Sequence, residues 1–291
     1  MHPSATLLPL CLLIALPAAY ATTTAEDDMN KALMPHATLA TSGAKVLVHR
    51  ARLQGTPGAN GLWKKAADEL RRAVQSCVAN LGANKVPVKP PKVFPEYSIS
   101  LREDIYAAAN RSIKYTHTLG YSLNAADCSL IETKQARAEL VSDAGTCDID
   151  LDLKTASGVC DARAHASAPA VRPFTPNAQQ QAQAAAMPAE MRAMLKNMEA
   201  KQAGTGAKKT ILGLSCDVLP VMGTDTMCVA TGGSFSLKPG AGAGVMRVLP
   251  LDYAVGGFAL RAVDARLDDS VSASVFTPHL AGGFTITKDA P

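Results

Sequence analysis

The chain has 291 residues, a net charge of +4 and only 4% aromatic residues. Its basic residues are dispersed, so neither a basic stripe nor a set of stacking aromatics points to nucleic acid. Beyond the N-terminal leader, no apolar run approaches the ~20 residues of a membrane span.

Leu7 to Leu16 is a ten-residue apolar run, and Ala19-Tyr20-Ala21 follows it as a small-x-small cleavage site. That pattern is a secretory signal over residues 1–21, although its leading segment has no Lys or Arg. A periplasmic or secreted bacterial protein, cleaved after Ala21, is expected. Leu8-Pro9-Leu10 lacks the small residue that a lipoprotein signal places before its cysteine, so Cys11 predicts no lipid anchor. Cleavage leaves six of the seven cysteines: Cys77, Cys128, Cys147, Cys160, Cys216 and Cys228. An even number in an exported chain implies disulfides, with 15 possible pairings. No C-x-x-C pair is present to suggest a redox site or a zinc ribbon.

Residues 22–60 are small and polar, with "LQGTPGANG" reading as loop. "GLWKKAADELRRAVQSCVANLG" predicts a helix, because Trp63, Ala67, Leu70, Val74, Cys77, Val78 and Leu81 share one face. Four prolines make Val86–Tyr97 an extended connector that completes an N-terminal region, 22–97. Over 98–165 the period becomes two. In "RSIKYTHTLGYSL", Ile113, Tyr115, His117, Leu119, Tyr121 and Leu123 lie on one face. In "CDIDLDL", Cys147, Ile149, Leu151 and Leu153 oppose Asp148, Asp150 and Asp152, and the flanking "SDAG" and "TASG" read as turns. This is a first antiparallel β half with one buried face.

Residues 166–208 combine an Ala/Pro/Gln-rich connector with a helix, "AMPAEMRAMLKNMEAKQ". Its spacing puts Met187, Met191, Met194 and Met198 on one side together with Leu195. A second β half, 209–291, follows through "KKTILGLSCDVL", "TMCVAT", "GVMRVLPL", "FALRAVDARL" and "GGFTITK".

Cys216 and Cys228 flank a short turn and are expected to pair across adjacent strands. Cys147–Cys160 and Cys77–Cys128 are the preferred remaining pairs. A hairpin turning at Thr155–Gly158 would, however, place Cys147 opposite His165 rather than Cys160. "DIDLDL" has neither the glycine turn nor the distal acid of a calcium loop, so a solvated strand face is expected. No G-x-S-x-G, H-E-x-x-H or phosphate loop is present, which favours a non-enzyme. His117, between Tyr115 and Leu119 on the apolar face, is a candidate pocket residue. The methionines offer a cuprous-ion site, a buried face or an adaptable greasy surface. Residues 186–208 contain no His or Cys to complete a metal site, so no metal or cofactor is assigned.

From "MRAMLKNMEAKQ" through "KKTILGLSCDV" and "TMCVA" to "DARLDDSVSASVFTP" and "GGFTI", the chain resembles a loose group of uncharacterised bacterial periplasmic proteins. The likeness covers roughly residues 187–288. These domains are similar to lipoprotein-carrier half-barrels, in which a curved antiparallel sheet wraps helices around an apolar cavity. The resemblance implies a fold and a compartment rather than an activity.

The expected fold is therefore mainly β (α+β). One curved antiparallel sheet or open half-barrel is built from both halves, with the N-terminal helix and the Met helix packed on it. The expected function is an exported, non-catalytic binding protein, a carrier for an acyl chain or another hydrophobic molecule. Ligand contacts are expected from Met187, Met191, Met194, Leu195, Met198, His117 and Tyr115. Copper binding and a structural envelope module without a ligand are the rival readings.

Overall fold

The computed structural model describes residues 24–57, 61–168, 188, 190, 206–220, 226–235, 248–255 and 258–287. Its helices are α1 (Ala25–Lys31), α2 (Pro35–Thr38), α3 (Leu62–Ala83) and α4 (Ala162–Ser167). The strands are β1 (Lys45–Pro57), β2 (Ile99–Ala107), β3 (Arg111–Leu123), β4 (Leu130–Ser142), β5 (Gly145–Asp150) and β6 (Thr155–Gly158). The second half supplies β7 (Lys208–Ile211), β8 (Leu214–Pro220), β9 (Thr226–Ala230), β10 (Pro250–Val255), β11 (Phe258–Ser272) and β12 (Thr285–Thr287).

All twelve strands form one open sheet in the order β12-β6-β5-β4-β3-β2-β1-β11-β10-β9-β8-β7. The sheet is mixed, because β12 runs parallel to β6 while the other neighbours are antiparallel. Strands β2–β6 come from residues 98–165 and β7–β12 from 208–291; β12 adds to the β6 edge, and β1, in the 22–60 segment where no strand was expected, lies between the two groups. It pairs with β2 on one side and β11 on the other.

Strand register divides the side chains between two faces. On the first face Arg50 stands opposite Tyr106, Arg52 opposite Asp104 and Gln54 opposite Arg102. That face continues through Ile113, Tyr115 and His117 of β3. A core of Val48, Tyr106, Ile113, Tyr115, Leu140, Ile149 and Phe276 packs there with Met34 from the α1–α2 segment. A second core joins Ala51, Leu53, Ile105, Val218, Leu251 and Leu260 across β1, β2 and β8–β11. Tyr253 Oη on β10 donates to Glu103 Oε2 on β2 at 2.5 Å. A flat sheet would hold strands three steps apart at about 14 Å. The face carrying Tyr253 and Glu103 is therefore the concave one.

The three expected disulfides are all formed, Cys77–Cys128, Cys147–Cys160 and Cys216–Cys228, with Cα separations of 5.7, 4.9 and 5.4 Å. The hairpin geometry expected for the middle one is corrected. "TASG" is not a turn but β6, and the chain reverses over residues 151–154 instead. Asp150 Oδ1 accepts from the amides of Asp152 and Leu153, at 3.1 and 2.8 Å, and Lys154 takes a positive φ of 52°. Cys147 then pairs with Gly158, which brings Cys160 within reach. The alternation of "CDIDLDL" stops at Asp150, and Leu153, expected on the apolar face, is 75% exposed.

Helix α3 carries its predicted stripe inward, with Ala67 and Val74 fully buried, and Cys77 ties it to the loop after β3. Among the described residues no helix is long and apolar enough to cross a membrane.

Candidate functional site

The two sequence-selected residues of β3, Tyr115 and His117, meet different fates. Tyr115 is buried in the first core and its hydroxyl donates to the Val275 carbonyl at 2.5 Å. Burial keeps its phenol protonated, and it is a structural residue. His117, two residues on, is only half-buried and faces a recess. Met187, Met191, Met194, Leu195 and Met198 lie outside the described residues.

The recess has a volume of ≈ 310 Å³ and lies between α1 and the β3–β4 surface. The sheet supplies His117, Leu119, Lys134 and Ala136, with Asp152 at the edge, and α1 supplies Ala25, Asp28 and Met29. His117 stands directly opposite Ala136 and Leu119 opposite Lys134. The small side chain of Ala136 leaves the space, and Asp152 Oδ2 fixes the edge by accepting from the Ala136 amide at 2.7 Å.

Among the described residues neither ring nitrogen of His117 has a hydrogen-bond or ion-pair partner. Burial first, and then the nearby Arg102 guanidinium, hold its pKa below the usual histidine value. At neutral pH it is an uncharged imidazole with one donor and one acceptor. The recess thus joins an apolar patch of Ala25, Met29, Leu119 and Ala136 to the amphoteric His117, with Asp28, Lys134 and Asp152 also lining it.

Helix α1 stands over this space because its two ends are satisfied in different ways. At its start, Thr24 Oγ1 accepts from the Asp27 amide at 3.2 Å and Asp27 accepts from the Thr24 amide, a reciprocal cap. At its end, the sheet supplies the donors for carbonyls that a helix leaves unpaired. Arg102 donates to the carbonyls of Met29 and Leu33, and both Arg52 and Gln54 donate to the Asn30 carbonyl at 3.4 Å. Asp104, fully buried, bridges the two arginines, accepting from Arg52 Nε at 2.8 Å and from Arg102 Nη2 at 2.5 Å. Arg50 is paired separately, to Asp264 at 2.6 Å and Asp269 at 2.5 Å. The sequence reading missed these arginines. Their one visible signal was alternation, with Arg50, Arg52 and Gln54 spaced by two in "RARLQ".

The other face of the same strands holds a groove of ≈ 460 Å³. Two cross-strand rows floor it, Lys114–Glu139–Asp148–Ser157 and Thr116–Arg137–Asp150–Thr155. Lys114 lies 3.8 Å from both Glu103 and Glu139, and Arg137 lies 3.8 Å from Asp150. Loose ion pairs and the exposed Asp148 and Arg137 make its outer part the solvated face expected for Asp148 and Asp150, while Glu103 beneath Lys114 is buried. Asp152 departs from that expectation and sits at the recess instead.

Two groupings resemble hydrolytic machinery and are structural. Ser142 Oγ donates to His165 Nδ1 at 2.7 Å, but His165 is 0% exposed and its Nε2 donates to the Val159 carbonyl at 2.5 Å. Ser234 donates to Asp268, not to His49, whose Nδ1 accepts the Asp268 amide and whose Nε2 donates to the Phe235 carbonyl. In each the imidazole is locked by backbone groups and holds no nucleophile open to a substrate. No group of three or more His, Cys, Asp or Glu among the described residues is arranged to hold a metal ion. Comparison with protein-family models, curated proteins and solved structures finds nothing that matches this chain.

Proposed function

We propose that the protein is an exported, non-catalytic binding protein for a small hydrophobic molecule bearing one uncharged polar group. A short acyl or alkyl chain ending in a hydroxyl or protonated carboxyl is the ligand class. The observation that carries this reading is His117, a neutral imidazole with no hydrogen-bond partner among the described residues, facing a recess whose apolar part is Met29, Leu119, Ala25 and Ala136. Pockets of this kind combine an apolar wall with few polar groups, and ≈ 310 Å³ is at the small end of ligand sites. At ~30 Å³ per water-sized group, it accommodates roughly ten such groups. The open sheet with α1 over the His117 face supplies the recess, on the face opposite the one that carries Tyr253 and Glu103. Three disulfides support an oxidising, extracytoplasmic compartment.

Native mass spectrometry of protein purified from its export host tests the reading directly, with a co-purifying lipid-class mass expected. In parallel, saturation-transfer NMR with octanol is expected to show binding that Ala136→Trp abolishes by filling the recess. His117→Leu is expected to weaken octanol about tenfold, the loss of one hydrogen bond. Octanol binding that is indifferent to both substitutions would exclude the recess.

A further inference from the structure

The proposed site has one wall that is attached unlike the rest of the molecule. Helix α1 buries no residue of its own, whereas Met34 and Pro35 immediately after it are buried anchors. Hydrogen bonds from Arg52, Gln54 and Arg102 hold its C-terminal end at Met29, Asn30 and Leu33. The opposite end lines the recess through Ala25 and Asp28 and is closed on itself by the Thr24–Asp27 cap. Ala32 and Met34 have extended backbone, with ψ of 142° and 150°, so a non-helical link separates α1 from the anchored α2.

We infer that α1 is a hinged wall that swings as a unit about Ala32–Met34, and that its position controls access of the apolar ligand to His117. The inference rests on the recess being the binding site. A helix with a satisfied N-terminal cap keeps its structure when it moves, because it does not borrow that cap from the sheet. Its C-terminal carbonyls lose little on exposure, since water replaces the guanidinium donors. The two contacts to the Asn30 carbonyl, both 3.4 Å long, are the first to part. Local opening of this sort needs few buried apolar contacts, and α1 offers only the half-buried Ala25 and Met29.

Hydrogen exchange on the full chain tests this, read separately over α1 and β3. The α1 amides are expected to exchange at least about tenfold faster than those of β3, through an opening that leaves the sheet intact. Gln54→Ala removes one latch donor and is expected to raise α1 exchange about fivefold while the melting temperature stays unchanged. Saturating octanol is expected to slow α1 exchange by a similar factor. Exchange of α1 and β3 at one common rate, or octanol that binds and leaves α1 exchange unaltered, would overturn the hinge. If α1 opens and responds to Gln54→Ala but octanol does not bind, the binding reading fails while the hinge is supported.

Discussion

Helices α1 and α3 dock on the same sheet by opposite physics. The longer one is 22 residues, places a continuous apolar stripe inward and is bolted by Cys77–Cys128. The shorter is 7 residues, buries none of them and is held by arginine and glutamine donors aimed at its carbonyls. Burial of hydrocarbon is additive and non-directional, so α3 is held along its stripe, most deeply at Ala67 and Val74. Hydrogen bonds exchange readily with water and contribute about 1 kcal/mol net each, so α1 can leave its seat without unfolding the protein. The recess lies under the helix whose attachment is the weaker of the two.

Substitutions separate the two modes of attachment. The largest effect is expected from Asp104→Leu, which strands Arg52 and Arg102 without their buried carboxylate. It should cost about 3–5 kcal/mol in urea unfolding and release α1 to limited proteolysis. A destabilised protein with α1 still protected would show that the arginines do not form the latch. Next comes the paired Cys77→Ser and Cys128→Ser change. Opening a crosslink of sequence separation 51 removes about 4 kcal/mol on the chain-entropy account. It should leave α1 exchange relative to β3 unchanged.

A pH effect of the next size involves His36, His117 and His279. Burial holds each below the ordinary histidine value of 6.5. The unfolded chain then binds more protons than the native one between each folded pKa and about 6.5. Stability is therefore full above that pH and falls as pH drops toward the folded values. Glu26 and Glu103, raised by burial, act with the opposite sign, losing stability as pH rises from about 4.5. Urea midpoints at pH 7.5 and 5.5 should show the decline, and His36→Gln with His117→Gln should flatten it. A midpoint that is constant across this range would contradict the buried-histidine account.

Arg111 is expected to give a smaller effect of the other sign. It is 9% exposed, stacks its guanidinium 4.5 Å over the Phe276 ring and has no carboxylate partner among the described residues. Arg111→Met should keep the packing, remove an uncompensated charge and stabilise the protein by about 1 kcal/mol. A loss of stability would instead assign the cation–π contact a larger weight. Thr24→Ala should have the smallest global effect. It removes a cap worth about 1 kcal/mol to α1 alone, so exchange there rises and the unfolding midpoint hardly moves.

Much of the sheet was legible in the sequence because alternation marks a strand with one apolar face. Arg111–Leu123 and Ile99–Ala107 form as their period-two pattern predicts, and the α3 stripe is inward as its helical spacing predicts. β1 was missed for the complementary reason. Its first face carries Arg50, Arg52 and Gln54, polar residues held in or at the edge of the interior, so "KVLVHRARLQ" lacks the apolar–polar alternation that marks a strand with one solvated face. The turn at 151–154 was misplaced because Ala156 and Gly158 in "TASG" belong to a strand whose pairing, not composition, defines it. For the site, His117 was legible as a polar residue on an apolar face. The role of its neighbour Tyr115 was not, because its acceptor, the Val275 carbonyl, comes from a segment 160 residues away.

The amino-acid sequence by itself determined the mainly β class, the Cys216–Cys228 pair across a short turn and the place of His117 on the apolar face of a strand. Each depends on periodicity or spacing within a short stretch, where local geometry leaves few alternatives. Tertiary structure alone decided that β1 joins two halves into one sheet, that buried arginines hold α1, and that Ala136 leaves a recess beside His117. Those features depend on partners far apart in the chain, and a charged residue is marked as buried only once its counter-charge is placed beside it.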